Sequence, residues 1–215
     1  MPLKPIEWSV VVAGRWNRAI LTPAGIGKHL FQVPEGTPLE VMLPIDIIAP
    51  PQVRYDGVTV VASNERLLLL PTKCSYDALE KARNLARRAL MELPKTPVFA
   101  VGVNVKFSTT SPIQSISDTV HTDWDDSLSD NDFTIADRTV TRSLKWDDSL
   151  INVAISESQS LEQSLQLNFD HKDDDSDKQV RWLELPINDI SNQVRRILHD
   201  TVGIATEDLE HEAPE

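Results

Sequence analysis

Three strand-like runs, 135–145, 150–155 and 164–169, follow one another with only four and eight residues between them. That brevity is the strongest constraint on the fold. A parallel strand pair needs a crossover of a dozen or more residues, usually a helix, so neighbouring strands here must run antiparallel. In the third run Leu165, Leu167 and Phe169 alternate with Gln166, Asn168 and Asp170, the pattern of a sheet with one face on a core. The alternation is stricter earlier, where Phe99, Val101, Val103, Val105 and Phe107 share one face of 98–107 and Ala100, Gly102, Asn104 and Lys106 the other. Residues 7–13 read as a further strand and 58–71 as a hairpin. Between them Pro23, Pro34, Pro38, Pro44, Pro50 and Pro51 leave room only for short strands and turns.

Two segments carry helical periodicity. Over 76–93, after Ser75 as N-cap, Ala78, Leu79, Ala82, Leu85, Ala86, Ala89, Leu90 and Leu93 fall within an arc of about 140°. Pro94 ends it. Over 187–202 the residues Ile187, Ile190, Val194, Ile197, Leu198 and Val202 do the same before Gly203. Val180, Trp182, Leu183 and Leu185 suggest a short final strand, with a change of face between Trp182 and Leu183. Residues 111–132 hold six Asp, five Ser and no Lys or Arg, the composition of a mobile loop or a marginal helix. The expectation is an α+β fold: antiparallel sheet with two main amphipathic helices, about 76–93 and 187–202, packed on one face. Residues 1–204 form a single domain or two lobes meeting near 111–132, and 205–215 an acidic flexible tail.

Charge divides along the chain. Residues 1–110 carry 13 Lys+Arg against 9 Asp+Glu, and 111–215 carry 8 against 24, giving the net −12. Such a molecule repels a polyanion at long range, so Lys81, Arg83, Arg87 and Arg88 on the first helix read as a solvated face and no direct nucleic-acid binding is expected. The single Cys74 forms no internal disulfide and has no partners at zinc spacing, which points to a reducing, cytoplasmic setting. It reads as a small buried hydrophobe rather than a nucleophile. The apolar stretch 8–14 is shorter than the core of a signal peptide, and no run approaches the roughly 18 residues that a membrane span needs.

One motif repeats. Trp-Asp-Asp-Ser-Leu occurs at 124–128 and again at 146–150. Trp124, Asp125, Asp126, Trp146, Asp147 and Asp148 are therefore candidate binding residues, with the rings anchoring a cation or a basic partner between acidic turns. The plainer reading makes the second copy a hairpin turn and leaves the first in a flexible loop. For a metal, Asp173, Asp175, Asp177 and Glu184 match positions 1, 3, 5 and 12 of a calcium loop, but Lys178 stands where Gly is needed for the sharp turn. Five scattered His and a Gly25–His29 stretch without the phosphate-loop spacing imply no zinc and no nucleotide cradle. No cofactor is implied. These features favour a non-enzymatic cytoplasmic interaction or regulatory subunit, docking a basic partner through its acidic C-terminal half or forming a homo-oligomer. The alternatives are a metal-dependent hydrolase using the Asp clusters, and an acidic inhibitor that mimics nucleic acid.

Overall fold

The computed structural model describes residues 3–45 and 49–204; the acidic tail foreseen at 205–215 lies outside them. Nine strands are described: β1 (Lys4–Gly14), β2 (Glu40–Met42), β3 (Gln52–Tyr55), β4 (Val58–Ala62), β5 (Arg66–Pro71), β6 (Val98–Thr109), β7 (Asp137–Trp146), β8 (Ser149–Ser158) and β9 (Gln163–Lys172). Their order in the sheet is β2-β3-β4-β5-β1-β6-β9-β8-β7. The registers of β1 with β5, of β2 through β5, and of β7 with β8 are antiparallel, as the short connections require for β3 through β5 and for β7 with β8. The fold is α+β.

Six helices rather than two accompany the sheet among the described residues: α1 (Pro23–Ile26, continued by a π-helical turn Gly27–Phe31), α2 (Tyr76–Glu92), α3 (Gln114–Val120), α4 (Asp123–Asp130), α5 (Ser176–Leu183) and α6 (Ile187–Arg195, continued as π-helix Arg196–Thr201). Helix α2 starts where foreseen, with the Ser75 hydroxyl accepting from the Ala78 N–H. The last helix ends at Gly203, whose φ of 77° is cheap only for a residue without Cβ.

Two expectations need correction. The final strand over 180–185 is instead α5, in which Gln179, Trp182 and Leu183 are buried. Spacing of three and four is the helical period, so the change of face between Trp182 and Leu183 was a helix signal. Its start is fixed by Asp175, whose side chain accepts from the Asp177 N–H at 2.9 Å. Of the two readings of 111–132, the marginal helix holds and the mobile loop does not: the stretch contains α3 and α4, and Ile116 (0% exposed) and Val120 (3%) seat α3 in the core.

The chain's contacts cluster into two compact units that are interleaved in sequence. One comprises 1–7, 105–168 and 188–215, and the other 8–104 and 169–187, so β1, β6 and β9 contribute residues to both. The first holds 7 Lys+Arg against 19 Asp+Glu and the second 14 against 14. The entire net charge therefore belongs to the first, called here the acidic unit, and the second is neutral. The Asp-rich stretch 170–177 falls in the neutral unit.

In the neutral unit α2 packs on β5, β4 and α5. Of its basic residues Lys81 is exposed, Arg87 and Arg88 are half-buried and Arg83 is not on a solvated face at all. Arg83 is 2% exposed, and its Nη2 donates to the carbonyls of Leu183 at 2.9 Å and Leu185 at 2.6 Å, with that of Trp182 at 3.5 Å. Orphan carbonyls at the C-terminal end of α5 are thereby met by a cation, where the helix dipole favours positive charge. Arg87 pairs with Glu184 at 2.9 Å, Arg88 donates to the Leu30 carbonyl at 2.6 Å, and Lys81 stands 3.5 Å from Asp56. Replacing Arg83 with Leu strips these buried carbonyls of their donor and should lower stability by about 3 kcal/mol or more. The half-exposed Arg87→Ala should cost less than about 1 kcal/mol. Urea unfolding followed by tryptophan fluorescence checks both.

Candidate interaction surface on the acidic unit

The two copies of the repeated pentapeptide adopt different structures. Trp124–Leu128 lies in α4, whereas Trp146 ends β7, Asp147 and Asp148 form the turn, and Ser149 starts β8. The second copy is thus the hairpin turn of the plainer reading, with Asp147 at φ 51°, as primed hairpin turns require of their first central residue. The first is not in a flexible loop. Thr122 precedes the helix in an extended conformation, and its backbone N–H donates to the Asp125 carboxylate at 3.1 Å, as in a capping box.

Asp125 also fixes where α4 sits. It is 8% exposed and accepts from Arg138 Nε at 2.9 Å. Arg138 lies at the start of β7, eight residues from Trp146, or about 26 Å along the strand. The structure therefore does not bring the two copies together. Arg138 reaches a second carboxylate, Glu157, with Nη1 at 3.8 Å. Glu157 is 6% exposed and stands on the face of β8 that buries Ile151, Val153 and Ile155. It accepts from the Ser117 hydroxyl at 2.5 Å and from Gln163 Nε2 at 2.6 Å. Gln163, fully buried on β9, accepts from the Ile113 N–H at 2.8 Å and donates to the Ile113 carbonyl at 3.2 Å. This network ties α3 and α4 to β7, β8 and β9. Glu157 and Gln163 were missed from sequence. Their signal was a polar residue on the apolar side of an alternating strand, which a buried network explains and a solvated face does not.

With its acidic side held down, α4 turns its remaining groups outward. Trp124 is 71% exposed and Phe133, just beyond the helix, 64%. Asp123, Asp126 and Asp130 are exposed as well, and Asp126 stands 3.4 Å from His121. Trp146 is half-buried and Asp147 and Asp148 are exposed.

The carboxylates considered for a metal are engaged in the neutral unit. Asp173 pairs with Lys178 at 2.9 Å. That hydrogen bond, and then the one from the Asp175 N–H, hold its carboxyl below the ordinary range. Asp175 caps α5, Asp177 lies in its first turn, and Glu184 follows its end and pairs with Arg87. Asp177, the nearest of the first three, thus lies seven residues before Glu184 along the helix, about 10 Å. Among the described residues no group of three or more His, Cys, Asp or Glu is placed to hold a metal ion. No described helix is long and apolar enough to cross a membrane. Cys74 is free and half-buried rather than buried.

No model of a known protein family matches the chain, and no curated protein matches it.

The Arg138 hydrogen bond is the first cause of an Asp125 pKa below the ordinary 3.8, opposed by desolvation and assisted by the Thr122 N–H. A depressed folded-state pKa contributes stability that is complete above the ordinary value and disappears as pH falls through the folded one. Urea midpoints of wild type and Asp125→Asn, measured from pH 6 down to 2.5, should differ by a constant amount above about pH 4.5. Below 3.8 the gap should close.

Proposed function

We propose that this protein is a non-enzymatic interaction subunit whose acidic unit docks a basic partner through the outward face of α4. The single observation that carries the reading is that Trp124 and Phe133 are exposed on and just beyond the short helix whose Asp123, Asp126 and Asp130 are exposed too, on the unit that holds all of the net charge. Large exposed aromatics are the residues that anchor interfaces, and a Lys or Arg of the partner gains from the ring face as well as from the carboxylates. The surrounding charge speeds encounter and sets orientation. The hold of Arg138 on Asp125 presents α4 already ordered, which lowers the entropic cost of docking. A single cysteine suits a reducing, cytoplasmic setting for such a subunit. A partner whose basic groove otherwise holds nucleic acid falls within the same chemistry.

Anisotropy titration of a dye-labelled, Lys- and Arg-rich amphipathic peptide tests this. Affinity should fall about tenfold or more between 50 and 300 mM salt as the screening length contracts. Asp123→Asn with Asp126→Asn, and separately Trp124→Ala, should each weaken binding about fivefold or more at 50 mM salt. Asp147→Asn with Asp148→Asn removes the same charge from the hairpin tip and should leave it near wild type. Equal loss from both double variants would reduce the effect to net charge alone and defeat the docking site.

A further inference from the structure

Strand β7 ends the sheet order, with β8 as its strand neighbour among the described residues. It is ten residues long, and all ten are in unbroken register with β8, from Asp137↔Ser158 to Trp146↔Ser149. There is no bulge and no proline. Long, flat edges of this kind are templates for another strand unless something blunts them.

The hairpin fixes which groups point outward. Trp146 and Ser149 flank a two-residue turn and form a hydrogen-bonded pair, and pairs alternate along an antiparallel ladder. The outward N–H and C=O groups are therefore those of Asp137, Thr139, Thr141, Ser143 and Lys145. One contact agrees: the Thr141 carbonyl accepts at 2.8 Å from the guanidinium of its neighbour Arg142, in place of a strand. These five residues also share the open face of the sheet, and all are exposed.

We propose that β7 pairs antiparallel with β7 of a second copy of this chain, about a two-fold axis at Thr141. Opposite residues of an antiparallel pair share a face, so a two-fold must place a residue opposite itself. With Thr141 at the centre, Asp137 faces Lys145 of the second copy, Thr139 faces Ser143, and the same contacts recur on the other side of the axis. Two opposite-charge pairs and a hydroxyl row result, all stabilising cross-strand partners. On the other face Arg138 meets Leu144 and Val140 meets Arg142, with no like charges opposed. Moving the axis one residue back, to Val140 on the alternate parity, sets Arg138 against Arg142, and moving it one residue forward, to Arg142, sets that residue against itself. Like charges directly opposite are destabilising, which disfavours both of these centres, and on the parity of Thr141 neither Thr139 nor Ser143 as centre sets Asp137 against Lys145, so Thr141 is the favoured one.

The open face of the acidic unit already carries matching polar rows. Ser143 donates to Asn152 at 2.7 Å, Asn152 to Asn168 at 3.0 Å, and Ser156 and Ser164 are 2.8 Å apart. Thr139 stands opposite Ser156 in the register, so setting Thr139 against Ser143 of the second copy joins these rows across the axis. Pairing 137–145 adds about ten main-chain hydrogen bonds. It also covers Leu144, 37% exposed in the single chain.

Sedimentation velocity and light scattering at 5–200 µM chain test the pairing, in 0.15 M salt to limit repulsion between acidic units. The wild type should approach twice the 24.1 kDa chain mass. Thr141→Pro removes an outward N–H at a position where an edge strand tolerates proline, and should be monomeric with unchanged circular dichroism. Should that variant fail to fold, the exposed charges decide: Asp137→Lys and Lys145→Asp should each weaken the dimer roughly tenfold, and the two together should restore it. A wild type that remains monomeric at 200 µM overturns self-pairing and leaves the edge to a strand of another protein. A dimer indifferent to both charge reversals overturns it as well.

Discussion

The acidic unit depends on how one guanidinium is shared. Nineteen carboxylates against seven cations leave little with which to neutralise any that are buried, yet Asp125 and Glu157 are both below a tenth exposed. Arg138 serves the two at once. A buried carboxylate without a partner is expensive, and a half-satisfied polar cluster is worse than an apolar one. Here Ser117 and Gln163 meet Glu157, and the Thr122 N–H meets Asp125. Helix α3 brings only Ile116 and Val120 to the core and α4 no apolar residue. Both short helices are therefore positioned by polar bonds, and α4 above all by Asp125. Adjacent residues differ by about 100° around a helix, so pulling Asp125 inward turns Trp124 outward.

Much of the fold was legible because it follows a single period. Helix α2 and strands β6 and β9 each repeat one spacing over ten or more residues, and burial follows it: Val101, Val103, Val105, Leu165, Leu167 and Phe169 are at most 1% exposed. Phe99, at the start of the same alternation, is 47% exposed, because a period assigns a face and not the depth of the cover above it. What could not be read were charges whose partners are far away in sequence. Arg83 lies about 20° beyond the apolar arc of α2 at 100° per residue, and only α5, about a hundred positions later, turns that borderline place into a buried one. Glu157 and Gln163 depend likewise on α3, which composition alone left between a loop and a marginal helix.

The repeated pentapeptide shows how little five residues decide. Asp125 and Asp147 occupy the same place in identical words, but one is the third residue of a helix and the other takes φ 51° at a turn. The difference lies in the flanks. Before the first copy stands Thr122 as an extended cap, and beyond it Arg138 draws the carboxylate in. Around the second, two strands in continuous register leave only two residues to reverse the chain. Local sequence offers both conformations, and tertiary partners select. Of the candidate binding residues, the structure accordingly makes Asp125 a positioning group and leaves Trp124 and Asp126 exposed.

Folding also regroups charge. A linear division of +4 and −16 becomes 0 and −12, because the acidic loop before α5 joins the basic helix α2 in one unit. Solubility alone would be served by any distribution, and concentrating the surplus adds self-repulsion to the unit that carries it. A basic counter-surface would relieve that repulsion, which is the physical sense of the docking proposed at α4. The same repulsion opposes a second acidic copy everywhere except where the unit's cations gather. Three of its seven, Arg138, Arg142 and Lys145, lie on β7 beside the lone acid Asp137. The edge strand is the stretch of the acidic unit on which like meets opposite, so electrostatics that favour a basic partner at α4 are compatible with self-pairing at β7.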